Sequence, residues 1–368
     1  MKKLARPGTM RPGTVTERGR EGEAQADALR RKQMLYVGVD AHKAHSQMTV
    51  MDETGTVLER RRAASSREGM LEALGRHRGE PMKAVLEADY GWGPLYDWIG
   101  EAAEEVVLAH PLKVRAIADA KIKNDKIDSE MLAHLLRADL IPEAYAPSKE
   151  VRAKKRVLRQ RMFLVRVRTM VKNRVRVLLS QHGVEPPPVS DLFGKKGLLW
   201  LKEEPDLPEP DGWLLREDVE LAETLKGKIR ATEGLIKELA EGDEAVGWLR
   251  TLPGVGEFFS VLIRHEVGEM ERFPSPKKFA SYTGLVPSTY ASGKRITHGR
   301  LTKEGNKWLR WAFVEAVSPA IRRSPYLRGY YMRIKARRGT KDARTATARK
   351  LAELAWVVWT ERREYEER

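Results

Sequence analysis

The sequence predicts an α/β unit followed by a longer, mainly helical part. Three observations lead there. Residues 34–145 alternate short apolar runs, turn residues and short amphipathic stretches. Residues 149–183 and 214–241 instead carry apolar side chains every three or four positions. Four acids, Asp40, Glu87, Asp125 and Asp128, stand at the ends of apolar runs or three apart, all within the first unit.

Leu35–Val39 is expected to be a buried strand, and Ser46–Met51 a second, with Met48 and Val50 on one side. Glu53-Thr54-Gly55 reads as a turn and Val57–Arg61 as a third strand. Ser66–Arg76 is helical, with Met70, Leu71 and Leu74 apolar. Ala84–Leu86 and Val106–Ala109 are strands four and five, with a helix over Leu95–Ala102 between them. Pro111–Ala120 begins helical, and Ser129–Ala138 is a helix with Met131, Leu132, Leu135 and Leu136 inward. Three antiparallel strands and then alternating helix and strand is the order of an RNase H-like (RuvC-like) sheet.

Residues 149–183 form one long helix, ended by Gly183 and Pro186-Pro187-Pro188. A Pro-rich, acidic connector leads to a second helix over 214–241. Its Ala222, Leu225, Ile229, Thr232, Ile236 and Leu239 follow a coiled-coil heptad. One arm is basic and the other mostly acidic, so a hairpin within the chain and a stalk between subunits fit equally well. A third, mainly helical unit opens on Leu252-Pro253-Gly254-Val255-Gly256. This resembles the turn of a helix-hairpin-helix, where amides at Gly254 and Gly256 meet phosphate; an ordinary helix–helix turn accounts for it as well. Residues 287–306 read as a loop rich in Gly, Ser, Thr, Lys and Arg. Trp308–Ile321 and Thr345–Thr360 are helices with Tyr- and Arg-rich connections, and Trp308, Trp311, Trp356 and Trp359 belong to their core. The expected organisation is a disordered basic arm (1–33), the α/β domain (34–146), a coiled-coil or hairpin segment (147–245) and a helical domain (246–368).

The 368 residues hold 68 Lys and Arg against 52 Asp and Glu, a net charge of +16. So large an excess favours a polyanionic partner. No apolar stretch approaches the roughly 20 residues that span a bilayer, so no membrane is expected. With no cysteine, disulfides, zinc fingers, thiol nucleophiles and iron–sulfur clusters are all excluded. The basic N-terminus lacks an apolar core segment, so no secretory signal is expected, and the cytoplasm, near the nucleoid, is the expected location.

An acid at the end of a buried strand is costly unless something cationic meets it. Asp40 on the first strand and Glu87 on the fourth can be neighbours, and Asp125 and Asp128 share one helix face by their spacing. Mg²⁺ needs a few converging carboxylates rather than a full cage. Two such ions roughly 4 Å apart can activate a nucleophile and stabilise a leaving oxygen at a phosphodiester. Asp89, Asp119 and Glu130 are rival acids, and for any single one of these residues a capping or turn role is the ordinary alternative. A second constellation, Tyr290-Ala291-Ser292-Gly293-Lys294-Arg295 running on to His298-Gly299-Arg300-Leu301-Thr302-Lys303, places a serine in a basic Gly loop. Ser292 could bind phosphate or act as a nucleophile, and as a nucleophile it needs a base or a metal; His298 is the one nearby candidate base. The cations of the long helix, Arg159, Arg166, Lys172 and Arg176 among them, suit backbone contacts or a solvated face. Lys43, beside His42, suits phosphate contact or local capping. Tyr326, Tyr330 and Tyr331 could stack on bases.

Taken together, these stretches resemble the transposases of bacterial insertion sequences that combine a RuvC-like DEDD domain with a C-terminal serine domain, the bridge-RNA-guided recombinases. The matching runs are Gly38-Val39-Asp40-Ala41-His42-Lys43, Leu86-Glu87 with Gly91-Trp92 behind, and Lys123-Asn124-Asp125-Lys126-Ile127-Asp128. For the serine domain they are Leu252–Gly256, Phe273 through Phe279–Pro287, Ser292-Gly293 and Gly299–Asn306. The resemblance covers about 34–360 in order and spacing. Asp89, where a neutral residue is expected, and Ser129, in place of the usual Ala, depart from the pattern.

The resemblance implies that Asp40, Glu87, Asp125 and Asp128 hold Mg²⁺, with Mn²⁺ as a substitute. It implies that Ser292 is the nucleophile of a covalent serine–DNA intermediate. Gly254, Gly256, Lys294, Arg295, Arg300 and Lys303 would lie among the nucleic-acid contacts. The implied partners are donor and target DNA, a structured non-coding guide RNA, and further copies of the chain in a dimer or tetramer. A hydrolytic DEDD nuclease without a covalent intermediate is the first alternative, and a non-catalytic nucleic-acid-binding assembly protein the second.

Overall fold

The structure, a computed structural model, describes residues 33–89, 91–117, 125–292, 295–301 and 305–367. The arm expected over 1–33 therefore lies outside the described residues except for Gln33. The chain divides into two compact units at Ala146/Pro147.

The first unit holds a five-stranded sheet in the order β3-β2-β1-β4-β5. Its strands are β1 (Leu35–Asp40), β2 (His45–Met51), β3 (Val57–Ala64), β4 (Met82–Glu87) and β5 (Glu105–Ala109). β1 pairs antiparallel with β2, and β2 with β3, while β1, β4 and β5 run parallel. This arrangement is consistent with an RNase H-like sheet. Side chains alternate between faces along each strand. Leu35, Val37, Val39, Ala84, Leu86 and Leu108 pack on α1 (Arg67–Gly75) and α2 (Trp92–Ile99). Val85, Val107 and Ala109 face the other way, onto Val114 of α3 (Pro111–Ile117) and Leu132, Leu135 and Leu136 of α4 (Asp125–Arg137).

The seating of α4 depends on Gly38. A Cβ built at Gly38 would overlap the carbonyl oxygen of Ser129 and lie 2.6 Å from the backbone nitrogen of Ala133. The helix backbone thus rests directly on β1, where only glycine leaves room. Beside this contact the hydroxyls of Thr49 and Ser129 share a buried hydrogen bond of 2.8 Å. Ser129, the departure from the expected alanine, is thereby satisfied inside the core. The sequence pattern starts this helix at Ser129, but it begins at Asp125, one turn earlier.

The second unit begins with α5 (Lys149–Gln181), capped by the Ser148 hydroxyl, which accepts from the Val151 amide. α5 lies against α7 (Asp211–Ala240), and Leu164, Val171, Val175 and Leu179 meet Val219, Ala222, Leu225 and Ile229 in one core. The connector between them is not structureless. Its residues Lys195–Glu203 form α6, which adds Leu201 to that core. A second core gathers α8 (Glu244–Thr251), α9 (Glu257–Val267), α10 (Pro276–Tyr282), α11 (Lys307–Arg323) and α12 (Pro325–Thr360) around Phe279, Phe313 and Leu351. α12 is two helical stretches meeting at Gly339, so the connection expected before Thr345 is itself helical. Among the described residues no helix is long and apolar enough to cross a membrane.

Gly38→Ala is expected to lift α4 from β1 and to cost about 3 kcal/mol, toward the upper end of overpacking penalties. Urea unfolding of the full chain measures it, and a cost below about 1 kcal/mol would show that the helix yields without strain.

Candidate active site

β1 and β4 run side by side, with Val39 opposite Leu86. Asp40 and Glu87 are the next residues of the two strands. Alternation puts both on the face of Gly38 and Val85, the face that α4 covers. α4 contributes Asp128 one residue before Ser129, whose carbonyl sits on Gly38. Two strand ends and one helix face thus bring three carboxylates together. Their mutual field is felt at Glu87. Burial raises its carboxyl pKa above the usual value, and Asp40, Asp128 and Asp89 raise it further, while Arg115 of α3 pulls the other way. His42 Nε2 lies 3.1 Å from Asp40 Oδ2.

Of the rival acids, Asp89 adds to this field from the residue pair after β4. Glu130 is drawn off to β3, where Arg60 donates to its carboxylate at 2.7 Å. Asp119 lies outside the described residues, as do Lys123 and Asn124, and for Asp125 only the backbone position at the start of α4 is described. Among the described residues no three acidic or histidine side chains are gathered closely enough to hold an ion unaided. The converging donors are nevertheless all carboxylate oxygens, half-buried and crowded by like charge. That chemistry fits a hard divalent cation.

Ser292 belongs to the second unit. The expected loop is an antiparallel hairpin of β6 (Pro287–Ser292) and β7 (Arg295–Leu301). Thr289, Tyr290, Ile296 and Thr297 are strand-forming residues, and they prevail over the Gly- and Ser-rich composition around them. Ser292 ends β6 and pairs with Arg295, while His298 and Arg300 lie along β7. Lys294 and Lys303 lie outside the described residues.

The foot of this hairpin is closely held. Gly284, at φ 69°, crosses Gly305 so tightly that a Cβ on Gly305 would overlap the Gly284 backbone nitrogen. The Asn306 amide donates to the Tyr282 carbonyl at 2.8 Å. Its side-chain oxygen caps α11, accepting from the Trp308 and Leu309 amides at 2.9 and 3.2 Å. Its side-chain nitrogen donates to Glu266 at 3.0 Å. Glu266 is 1% exposed and also meets Arg159 at 2.9 Å and Lys155 at 3.5 Å. Burial lowers the Lys155 pKa, and the Glu266 charge opposes that shift.

Comparison with known proteins agrees with this layout. Residues 37–184 match the DEDD transposase domain of the IS110 group, and residues 247–332 match the transposase family IS116/IS110/IS902. The two stretches follow one another in chain order and together span more than half of the chain. The chain belongs to the IS116/IS110/IS902 transposase family. A probable family 20 transposase of Pseudomonas aeruginosa is 28% identical over 76% of this chain and 84% of its own length. The transposase for insertion sequence element IS1328 of Yersinia enterocolitica is 26% identical over 89% of this chain and 97% of its own. That for element IS1111A of Coxiella burnetii is 24% identical over 91% and 92%.

In this member of the IS116/IS110/IS902 family, the expected nucleic-acid contacts divide. Lys43 is exposed between β1 and β2. Arg166 is exposed and makes no ion pair among the described residues. Arg176 stacks 5.5 Å from the centre of the Phe193 ring and donates to Asn173. Lys172 lies 3.7 Å from Asp191 and 4.7 Å from the same ring. Arg159 pairs with the buried Glu266 while its own side chain stays 46% exposed, so part of its guanidinium remains at the surface. Gly254 is a correction. It is buried, with the Ala316 carbonyl of α11 against its Cα, so its role is close helix packing. Gly256 stays exposed at the start of α9, where no side chain caps the helix.

Two residues of the site went unread in the sequence. Glu266 had a weak signal, as the one acid in the stretch Val261–Val267, where Arg264 and His265 stand beside it. Arg115 had none, because only the docking of α3 brings it to Glu87.

Two outcomes follow from the charges. In chelator, Glu87→Gln removes one crowding anion and should raise the melting temperature by a few degrees, about 1 kcal/mol. Added Mg²⁺ should then stabilise the wild type more than the variant; a variant that melts lower than wild type in chelator would contradict the crowding. Glu266→Ala strands the Lys155 ammonium in the core, at an expected cost of about 3 kcal/mol in urea unfolding.

Proposed function

We propose that this chain is the DNA transposase of an insertion sequence, cutting and rejoining DNA strands through a covalent serine–DNA intermediate. The observation that carries the reading is the convergence of Asp40, Glu87 and Asp128, held together by the fold against their mutual repulsion. Such an arrangement is costly without a cation and useful with one. Asp40, Glu87, Asp125 and Asp128 are the residues that would hold Mg²⁺, which when bound would neutralise charge developing on the phosphodiester.

Ser292 is the proposed nucleophile. Its Oγ attacks phosphorus, the bond from phosphorus to the 3′ oxygen breaks, and the hydroxyl proton ends on the freed 3′ hydroxyl. One phosphodiester replaces another, so rejoining needs no nucleotide cofactor. A position at the end of β6, on a hairpin whose foot is fixed by Gly284, Gly305 and Asn306, supports this reading. A reactive serine must be presented at the surface and yet held still. His42 beside Asp40 supports a further detail, an imidazole that steadies that carboxylate. The resemblance extends the proposal to a structured guide RNA that selects donor and target by base pairing. It extends it also to an RNase H-like first unit, to a coiled-coil pairing of α5 and α7, and to assembly of the chain with further copies of itself.

The test is direct. Full-length protein, guide RNA, donor and target DNA and Mg²⁺ are incubated, and the products are denatured. A protein–DNA adduct is expected, absent in Ser292→Ala and in Asp40→Asn or Asp128→Asn. An adduct that persists in Ser292→Ala would sink the serine assignment. Cleavage without any adduct, unaffected by that substitution, would favour hydrolysis by the acids alone.

A further inference from the structure

We propose that the stretch of α12 between Leu327 and Ala343 is an arm that docks on the phosphate backbone of duplex DNA. The proposal rests on the reading that the chain acts on DNA, but not on the serine chemistry.

Leu327 and Ala343 are both fully buried, yet no residue between them is buried. The arm therefore leaves the core and returns to it, turning at Gly339. Tyr331 still packs partly against that core, but every residue from Lys335 to Asp342 is exposed, so this part of the arm has no buried face to hold it. Its charge is of one sign. From Pro325 to Lys341 there is no Asp or Glu. Arg333, Lys335, Arg337, Arg338 and Lys341 are exposed, and none makes an ion pair among the described residues. Arg333 and Arg337 stand four apart, a spacing at which like charges repel on a helix. Arg333 also lies 5.8 Å from the centre of the Tyr330 ring, which keeps its guanidinium on the surface.

The contrast with α5 is the deciding point. That helix holds more cations, but several are matched within the chain: Arg159 and Lys155 with Glu266, Arg161 with Glu233, Arg174 with Asp218. A matched cation has its charge offset by the neighbouring carboxylate, and an unmatched one presents its full charge to phosphate. The helical part of the arm from Arg328 to Arg338 is about 16 Å long at 1.5 Å per residue. A duplex presents one charge per roughly 1.7 Å of axis, so several phosphates lie within its reach. Duplex DNA is the committed partner because it is the substrate of the proposed reaction.

The experiment compares the full-length protein with its Arg337→Gln, Arg338→Gln, Lys341→Gln triple variant. Binding to a labelled DNA duplex is measured by anisotropy over a range of salt concentrations. The expected result is a plot of log affinity against log salt shallower by about 3, with at least about tenfold weaker binding at moderate salt. Should the triple variant melt below wild type, Arg333→Gln with Lys335→Gln replaces it, with an expected change in slope of about 2. An unchanged slope and affinity would overturn the proposal. So would a loss seen only with a structured RNA and not with the duplex. Adduct formation reports on Ser292 independently, so failure of the serine reading would leave this slope as it is.

Discussion

The contact between the backbone of α4 and Gly38 is the constraint on which the first unit depends. It fixes the distance of the helix from the sheet and, with the Thr49–Ser129 hydrogen bond, its position along the strand. Asp128 precedes Ser129, and Asp40 lies two residues beyond Gly38 on the same face. Their approach therefore follows from how the helix is seated. The opposing force is the repulsion among Asp40, Asp128, Asp89 and Glu87, worth on the order of 1–2 kcal/mol at a half-exposed site. Burial of Leu132, Leu135 and Leu136 against the sheet contributes roughly 1.5–3 kcal/mol per side chain. Packing outweighs that repulsion.

The second unit applies the same logic with charges reversed. Glu266 is buried where Lys155, Arg159 and Asn306 converge, so α5, α9 and the start of α11 are tied at one carboxylate. That knot lies directly at the foot of the hairpin that ends β6 at Ser292. A buried ion pair adds little net stability, but its loss leaves a charge stranded. Its effect is to define where the hairpin starts. It also takes Lys155 from the surface and offsets part of the Arg159 charge, so the count of 68 Lys and Arg overstates the cations free to meet a polyanion.

Much of the first unit was legible in the sequence, because strand alternation and the apolar face of a helix are local patterns. The runs around Val37, Val50, Val85 and Val107 read as strands and are strands. The misreadings share a cause. Residues 287–301 looked like a loop because Gly, Ser, Thr, Lys and Arg are frequent there, yet Pro287–Ser292 and Arg295–Leu301 pair as a ladder. Lys195–Glu203 was lost among flanking prolines, and α12 before Gly339 was hidden by its lack of an apolar face. Gly254 read as a phosphate contact because a Gly-rich turn is the same string whether it faces solvent or a neighbouring helix.

The sequence by itself determined that acids end β1 and β4, that Asp125 and Asp128 share a helix face, and that Ser292 stands beside glycine in a basic segment. These are one-dimensional facts of period and spacing. Tertiary structure alone decided which acids meet, because that depends on the seating of α4 on a glycine eighty-seven or more residues before the helix begins. It decided that Glu130 turns away to Arg60 while Arg115 turns toward Glu87. It decided which cations are already matched. Charge is read along a chain, but the partner of a charge is set by distance in space.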